Sequence, residues 1–198
     1  MYVPAAFEGT RQAAYELIDA EPFATVIASG KDGMVASHLP LMREGDTLFG
    51  HLAGPNPQAD LLADCAKTGR EVLAIFHGPH FYVSPGWYAA KTRTVPTWNY
   101  GAAHVYGVPK VTSEPAVLEA LVGKLAAAYD RSDWRMADQP RDYMDMMLSG
   151  IVGFEIPIAR VDAKFKLSQN RAKADRDGVL AHVSPAHADF MRRYGAKE

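Results

Sequence analysis

The stretch Val72–Gly107, VLAIFHGPHFYVSPGWYAAKTRTVPTWNYGAAHVYG, constrains this chain more than any other. It opens on an apolar, β-rich run, Val72–Phe76, short enough to predict a buried strand. His77, His80 and His104, Trp87 and Trp98, and Tyr82, Tyr88, Tyr100 and Tyr106 then crowd among Gly and Pro. Large rings need burial or a flat partner, and their polar tips need hydrogen-bond partners once buried. Pro and Gly stiffen the loops that carry them. Such a set suits a planar, polar-edged ligand. An aromatic-rich core joined by two loops accounts for it equally well.

Composition narrows the class. With 198 residues, 48% of them hydrophobic, the chain can bury a full core. A formal net charge of -2 gives no global attraction to nucleic acid or anionic lipid, so DNA contact requires a local basic patch. The single cysteine, Cys65, excludes an internal disulfide framework and suits a reducing compartment. No basic region followed by an apolar stretch opens the chain, and no run approaches the length of a membrane span, so the expectation is a cytoplasmic protein away from membranes.

The elements follow from punctuation and period. Thr10 caps a first helix that Glu21-Pro22 ends. Phe23–Ala28, Met34–Leu41 and Thr47–Leu52 read as an antiparallel meander. Gly54-Pro55-Asn56-Pro57 breaks it, and a short helix carrying Leu61, Leu62 and Cys65 follows. Further strands are expected at Val72–Phe76, Ala102–Val111, Ile151–Ile158 and Val161–Leu167. Helices are expected from a Ser113 cap onward and over Arg141–Leu148. About seven strands without βαβ alternation argue against a doubly wound fold and for a small closed antiparallel barrel with packed helices. The division expected is a domain over 1–170 and a polar tail over 171–198 with a weak helix near Pro185–Tyr194.

Five clusters carry candidate chemistry. In Ser37-His38-Leu39-Pro40-Leu41 a strand places Ser37 and Leu39 on one face and His38 on the other. In Gly50–Gln58 a strand gives way to a helix. Asn56 there is a ready cap, and free N–H groups with His51 and Gln58 nearby suit a phosphate. His77-Gly78-Pro79-His80 invites zinc only weakly, because no carboxylate or cysteine completes the set. Val95–Tyr100 places Trp98, Asn99 and Tyr100 consecutively, a loop able to stack on a flat heterocycle or to fill a dimer interface. Lys164–Asn170 ends the last strand in basic and amide donors, and Arg160–Asp177 holds six Lys/Arg against three Asp. A basic patch for phosphate or DNA and a solvated edge strand both explain it. No nucleophile elbow, Walker loop, dinucleotide fingerprint or helix-turn-helix is present.

Taken in order, MYVPAAFE, SHLPL, GHLAGPNPQ, VLAIFHGPHFYVSPGWY, VPTWNY, HVYG, GIVGFEI and KLSQN resemble the PaiB-type, FMN-binding negative transcriptional regulators. The likeness spans Met1 to Asn170. It implies an α+β, mainly β FMN-binding split barrel, a six-stranded antiparallel Greek-key barrel with packed helices, paired as a homodimer with flavin at the interface. The cofactor-binding residues implied are Ser37, His38, Leu39, His51, Ala53, Asn56, Gln58, Trp98, Asn99, Tyr100, Lys166, Ser168 and Gln169, with no metal. The function implied is negative regulation of transcription. The alternative is a flavin-dependent oxidoreductase of the pyridoxamine phosphate oxidase and flavin reductase type, since split barrels host both.

Overall fold

The computed structural model describes residues 1–195. Among the described residues nine strands form a five-stranded sheet, in the spatial order Gly33–Pro40, Phe23–Gly30, Val72–Val83, Thr97–Gly107 and Arg160–Lys166, and a four-stranded sheet, in the order Met42–Glu44, Thr47–Ala53, Ile151–Pro157 and Lys110–Thr112. The chain divides into two units. One comprises residues 1–21, 75–104 and those from Val161 onward; the other comprises 22–74 and 105–160. Among the described residues no helix is long and apolar enough to cross a membrane.

The second unit starts with a hairpin, β1 (Phe23–Gly30) against β2 (Gly33–Pro40), in register from Phe23 opposite Pro40 to Gly30 opposite Gly33. A second hairpin joins β3 (Met42–Glu44) to β4 (Thr47–Ala53), and β4 runs antiparallel to β8 (Ile151–Pro157). Helix α2 (Pro57–Thr68) shows why its sequence stops and starts where it does. The Asn56 side chain accepts from the Gln58 N–H at 2.9 Å, and Pro57 takes a position that needs no N–H. Gly69 closes the helix in the left-handed region, φ 69°. Helices α3 (Pro115–Tyr129) and α4 (Arg141–Ser149) complete this unit with β7 (Lys110–Thr112). Its core includes Leu41, Leu48, Leu62, Leu118, Phe154 and Ile156, all buried.

In the first unit α1 (Arg11–Ala20) begins as expected, with Thr10 Oγ1 accepting from the Ala13 N–H at 3.1 Å. Its buried Leu17 and Ile18 share a core with Phe76, Tyr88, Phe165 and Leu167. Most of β5 (Val72–Val83), β6 (Thr97–Gly107) and β9 (Arg160–Lys166) belongs to this unit, followed by α5 (Lys173–Leu180) and α6 (Pro185–Gly195). On α6, Phe190 and Tyr194 pack on Phe165, with the Tyr194 ring stacked at 4.6 Å. Helix α5 docks on the short helical turn Pro85–Trp87: His182 stacks on Trp87 at 5.5 Å, and the Ala90 N–H donates to Asp175 at 3.0 Å.

Several expectations change. Strands β3 and β7, three residues each, carry too little period to show in sequence. Strand β5 continues through the His77–His80 segment to Val83, so these imidazoles lie within a strand. The cap of α3 is Glu114 without a side-chain bond, with Pro115 first in the helix, rather than Ser113. Beyond residue 170 the chain forms two helices rather than one weak one, burying Val179, Ala188, Phe190 and Met191. The last three residues of the expected tail lie outside the described ones.

Gly178 is the close-approach point of α5. A Cβ there would overlap the Trp87 carbonyl oxygen, which is backbone and has nowhere to swing. Gly178→Ala is expected to lose about 1–3 kcal/mol through overpacking. The measurement is the urea midpoint; an unchanged midpoint would reject this docking of α5.

Candidate functional site

The thirteen residues expected at a cofactor fall into two groups, one in each unit. In the first unit, Trp98, Asn99 and Tyr100 are strand rather than loop. Side chains therefore alternate. Trp98 is 53% exposed, Asn99 is fully buried on the opposite face, and Tyr100 is half-buried on the Trp98 side. A ring, an amide and a phenol in sequence thus do not meet one face of a planar ligand together. What accompanies Trp98 instead is exposed Tyr82, edge-on at 6.2 Å, and exposed His80, tilted at 6.3 Å. These form an open aromatic platform on β5 and β6.

Behind the platform, Asn99 is tied to the end of β9. Its Nδ2 donates to Ser168 Oγ at 3.0 Å, and the Ser168 hydroxyl donates to Asn99 Oδ1 at 3.2 Å. Ser168 sits in the left-handed region, φ 67°, uncommon for a residue with a Cβ. Gln169 braces this reversal: its Oε1 accepts from the Leu167 N–H at 2.7 Å, and its Nε2 donates to the Phe165 carbonyl. Its amide is therefore occupied within the chain.

Lys166 points its Nζ at the Trp98 carbonyl, 2.6 Å away, and at the Thr97 hydroxyl. Burial, then the neighbouring charges of Lys164 and Arg171, hold its ammonium below the usual lysine range. Arg171 lies over the Tyr88 ring at 4.6 Å. Tyr88, Thr97, Asn99, Lys166, Ser168 and Arg171 help to line a cavity of about 100 Å³. Tyr88 and Arg171 were not among the expected residues. The available signals were Tyr88 closing the YVSPGWY run and Arg171 directly following KLSQN.

The other group lies on β2, β4 and α2. His38 is exposed, its Nδ1 3.0 Å from the Thr25 hydroxyl across the hairpin. Leu39 is buried in the core. Asn56 Nδ2 donates to Ser37 Oγ at 3.0 Å while its oxygen caps α2. Gln58 is fully buried; its Nε2 donates to the Val26 carbonyl at 2.8 Å and the Val35 carbonyl at 3.2 Å. That amide ties the helix to both strands of the hairpin, so it is not free to donate to a phosphate. Ala53 is exposed at the end of β4, and half-buried His51 has an Nδ1 without a hydrogen-bond partner among the described residues. Among the described residues no cluster of His, Cys, Asp and Glu suits a metal ion.

Two tests follow from this geometry. Gln58→Ala removes the amide that donates to the buried Val26 carbonyl and the part-buried Val35 carbonyl, and is expected to cost about 2 kcal/mol or more of stability. Chemical denaturation reads it; a fully stable variant would refute the tie. Burial also holds the His51 imidazole below its ordinary value. The unfolded chain then binds this proton more tightly than the folded one. The His51 contribution is full above about pH 6.5 and falls away as pH drops below it. His51→Gln is expected to flatten the loss of denaturation midpoint between about pH 7 and pH 5, and an unchanged slope would assign that loss to another group.

Residues 1–160 match a protein family described as "Putative FMN-binding domain". The Bacillus subtilis "Protease synthase and sporulation protein PAI 2" is 33% identical over 192 residues, covering 92% of this chain and 89% of that protein. Among solved structures, the flavocytochrome Anf3 from Azotobacter vinelandii superposes with a TM-score of 0.62 at 14% identity, over 88% of this chain and 74% of its own. The FAD and heme binding protein from Mycobacterium smegmatis gives 0.56 at 18%, over 88% and 79%. These structural likenesses agree with the antiparallel sheets in identifying a split-barrel fold. Family match and PAI 2 identity together show that the chain belongs to the PaiB-type FMN-binding family.

Proposed function

We propose that this protein is a homodimeric, FMN-binding transcriptional regulator, with the flavin ring packed on the Trp98 platform. The platform is the observation that carries the reading. Trp98, Tyr82 and His80 offer aromatic surface to solvent, where an isolated domain gains nothing from exposing it. An isoalloxazine or a second chain covers such a surface, and a flavin held at a dimer interface uses both. The residues fit the group: rings for its flat faces, and the basic end of β9 beside them for its phosphate. Bound FMN supplies electron-transfer chemistry, and the protein orients it.

The regulatory part rests on the likeness to PAI 2, whose name refers to protease synthase and sporulation. The basic patch expected for DNA is smaller than its sequence suggests, because Lys173 pairs with Asp177 at 2.6 Å. Lys164, with Lys166 and Arg171 beside it, remains as the basic surface. The second reading, a flavin-dependent oxidoreductase, is favoured by the solvent access of the platform, which lets a reactant approach a bound ring.

An absorbance spectrum with added FMN tests the cofactor, and sedimentation at micromolar concentration tests the dimer. Trp98→Ala is expected to weaken FMN about tenfold while leaving a dimer, consistent with the stacking energy of one aromatic residue. A dimeric variant with unchanged FMN affinity would reject the platform. A salt-sensitive, flavin-dependent shift of promoter DNA supports the regulator. Anaerobic bleaching by NAD(P)H without such a shift supports the enzyme.

A further inference from the structure

The cavity at the end of β9 has its own chemistry. Its volume, about 100 Å³, equals roughly three waters at ~30 Å³ each, too small for a flavin ring and suited to a phosphate- or carboxylate-sized group. Two cations line it, Lys166 and Arg171, and among the described residues neither has a carboxylate partner. Lys166 is half-buried, and among the described residues its Nζ is met only by the Thr97 hydroxyl and the Trp98 carbonyl. Buried cations ordinarily sit beside a counter-charge. A third feature is independent of charge. Tyr88, 1% exposed, forms part of the wall, and its hydroxyl has no hydrogen-bond partner among the described residues. Buried hydroxyls are nearly always satisfied, so an orphan of this kind marks a place where a further acceptor belongs. Ser168, held left-handed and almost fully buried, shapes the same wall, its hydroxyl proton being committed to Asn99 Oδ1.

We propose that the cavity lined by Tyr88, Lys166 and Arg171 is an oxyanion-binding site that receives a phosphate group. Resting on the FMN reading above, it takes the phosphate of FMN, with the Lys166 bond to the Trp98 carbonyl setting the site against the platform. The same chemistry suits a free phosphate or the phosphate of another small molecule. The start of α2 is the less suitable place. Asn56 already caps the Gln58 N–H there, and the Gln58 amide is committed to two carbonyls.

The test compares the full chain with Lys166→Gln, Arg171→Gln and Tyr88→Phe. FMN and riboflavin affinities are read by flavin fluorescence, and thermal midpoints are read in millimolar inorganic phosphate against equal chloride. Lys166→Gln and Arg171→Gln are each expected to weaken FMN about tenfold, the usual scale of one charge-assisted hydrogen bond, with riboflavin unchanged. Tyr88→Phe is expected to weaken FMN while leaving the ligand-free thermal midpoint equal or higher, because it removes an unsatisfied hydroxyl; a merely structural role would lower that midpoint. Phosphate is expected to raise the midpoint of the unmodified chain and not that of Lys166→Gln. If phosphate protects in this way but neither flavin binds, the oxyanion site stands with another phosphate source and the FMN reading fails. If FMN binds with an unchanged preference over riboflavin in all three variants, and phosphate protects none or all of the proteins alike, the site is overturned while the FMN reading survives.

Discussion

The hydrogen-bonded pair Asn99 and Ser168 holds the β9 end of the first unit together. Both side chains are buried, so each must find its partner in the protein. Their bonds join β6 to the reversal after β9 and help keep Ser168 left-handed. Gln169 clamps the same reversal from the other side by holding Leu167 and Phe165. Residues on either side of the reversal, Lys166 and Arg171, thereby reach one cavity. The polar residues of this segment thus divide their labour, amides fixing the backbone and cations facing the space it encloses.

The same division holds on the second unit, where Asn56 and Gln58 carry the sequence marks of an anion-binding helix start. In the fold both are structural. Asn56 caps α2 and reaches Ser37, and Gln58 ties that helix to two carbonyls of the β1–β2 hairpin. A buried amide serves a backbone that lacks partners, and once committed it has no donor left for a ligand.

A loop and a strand treat consecutive residues differently, and this explains the largest change in the aromatic segment. Read as a loop, Val95–Tyr100 presents Trp98, Asn99 and Tyr100 together. Read as strand, it sends Asn99 inward to Ser168 and leaves Trp98 outward beside Tyr82 and His80. Tyr82 and His80 come from β5, extended past the apolar run at which its sequence signal ends. Pairing with β6 continues the strand where propensity stops.

Local sequence was sufficient where the physics is local. Thr10 and Asn56 cap their helices because a side-chain oxygen reaches an N–H two or three residues away, and the first hairpin follows from a turn between two β-rich runs. The ordered motifs also sufficed for the family, the barrel class and FMN. Tertiary structure alone decided that Gln58 faces carbonyls, that Asn99 faces Ser168, and that Tyr88 and Arg171 share a cavity with Lys166. Those contacts join residues tens of positions apart, and burial determines which polar atoms have a partner; neither quantity is carried by spacing along the chain.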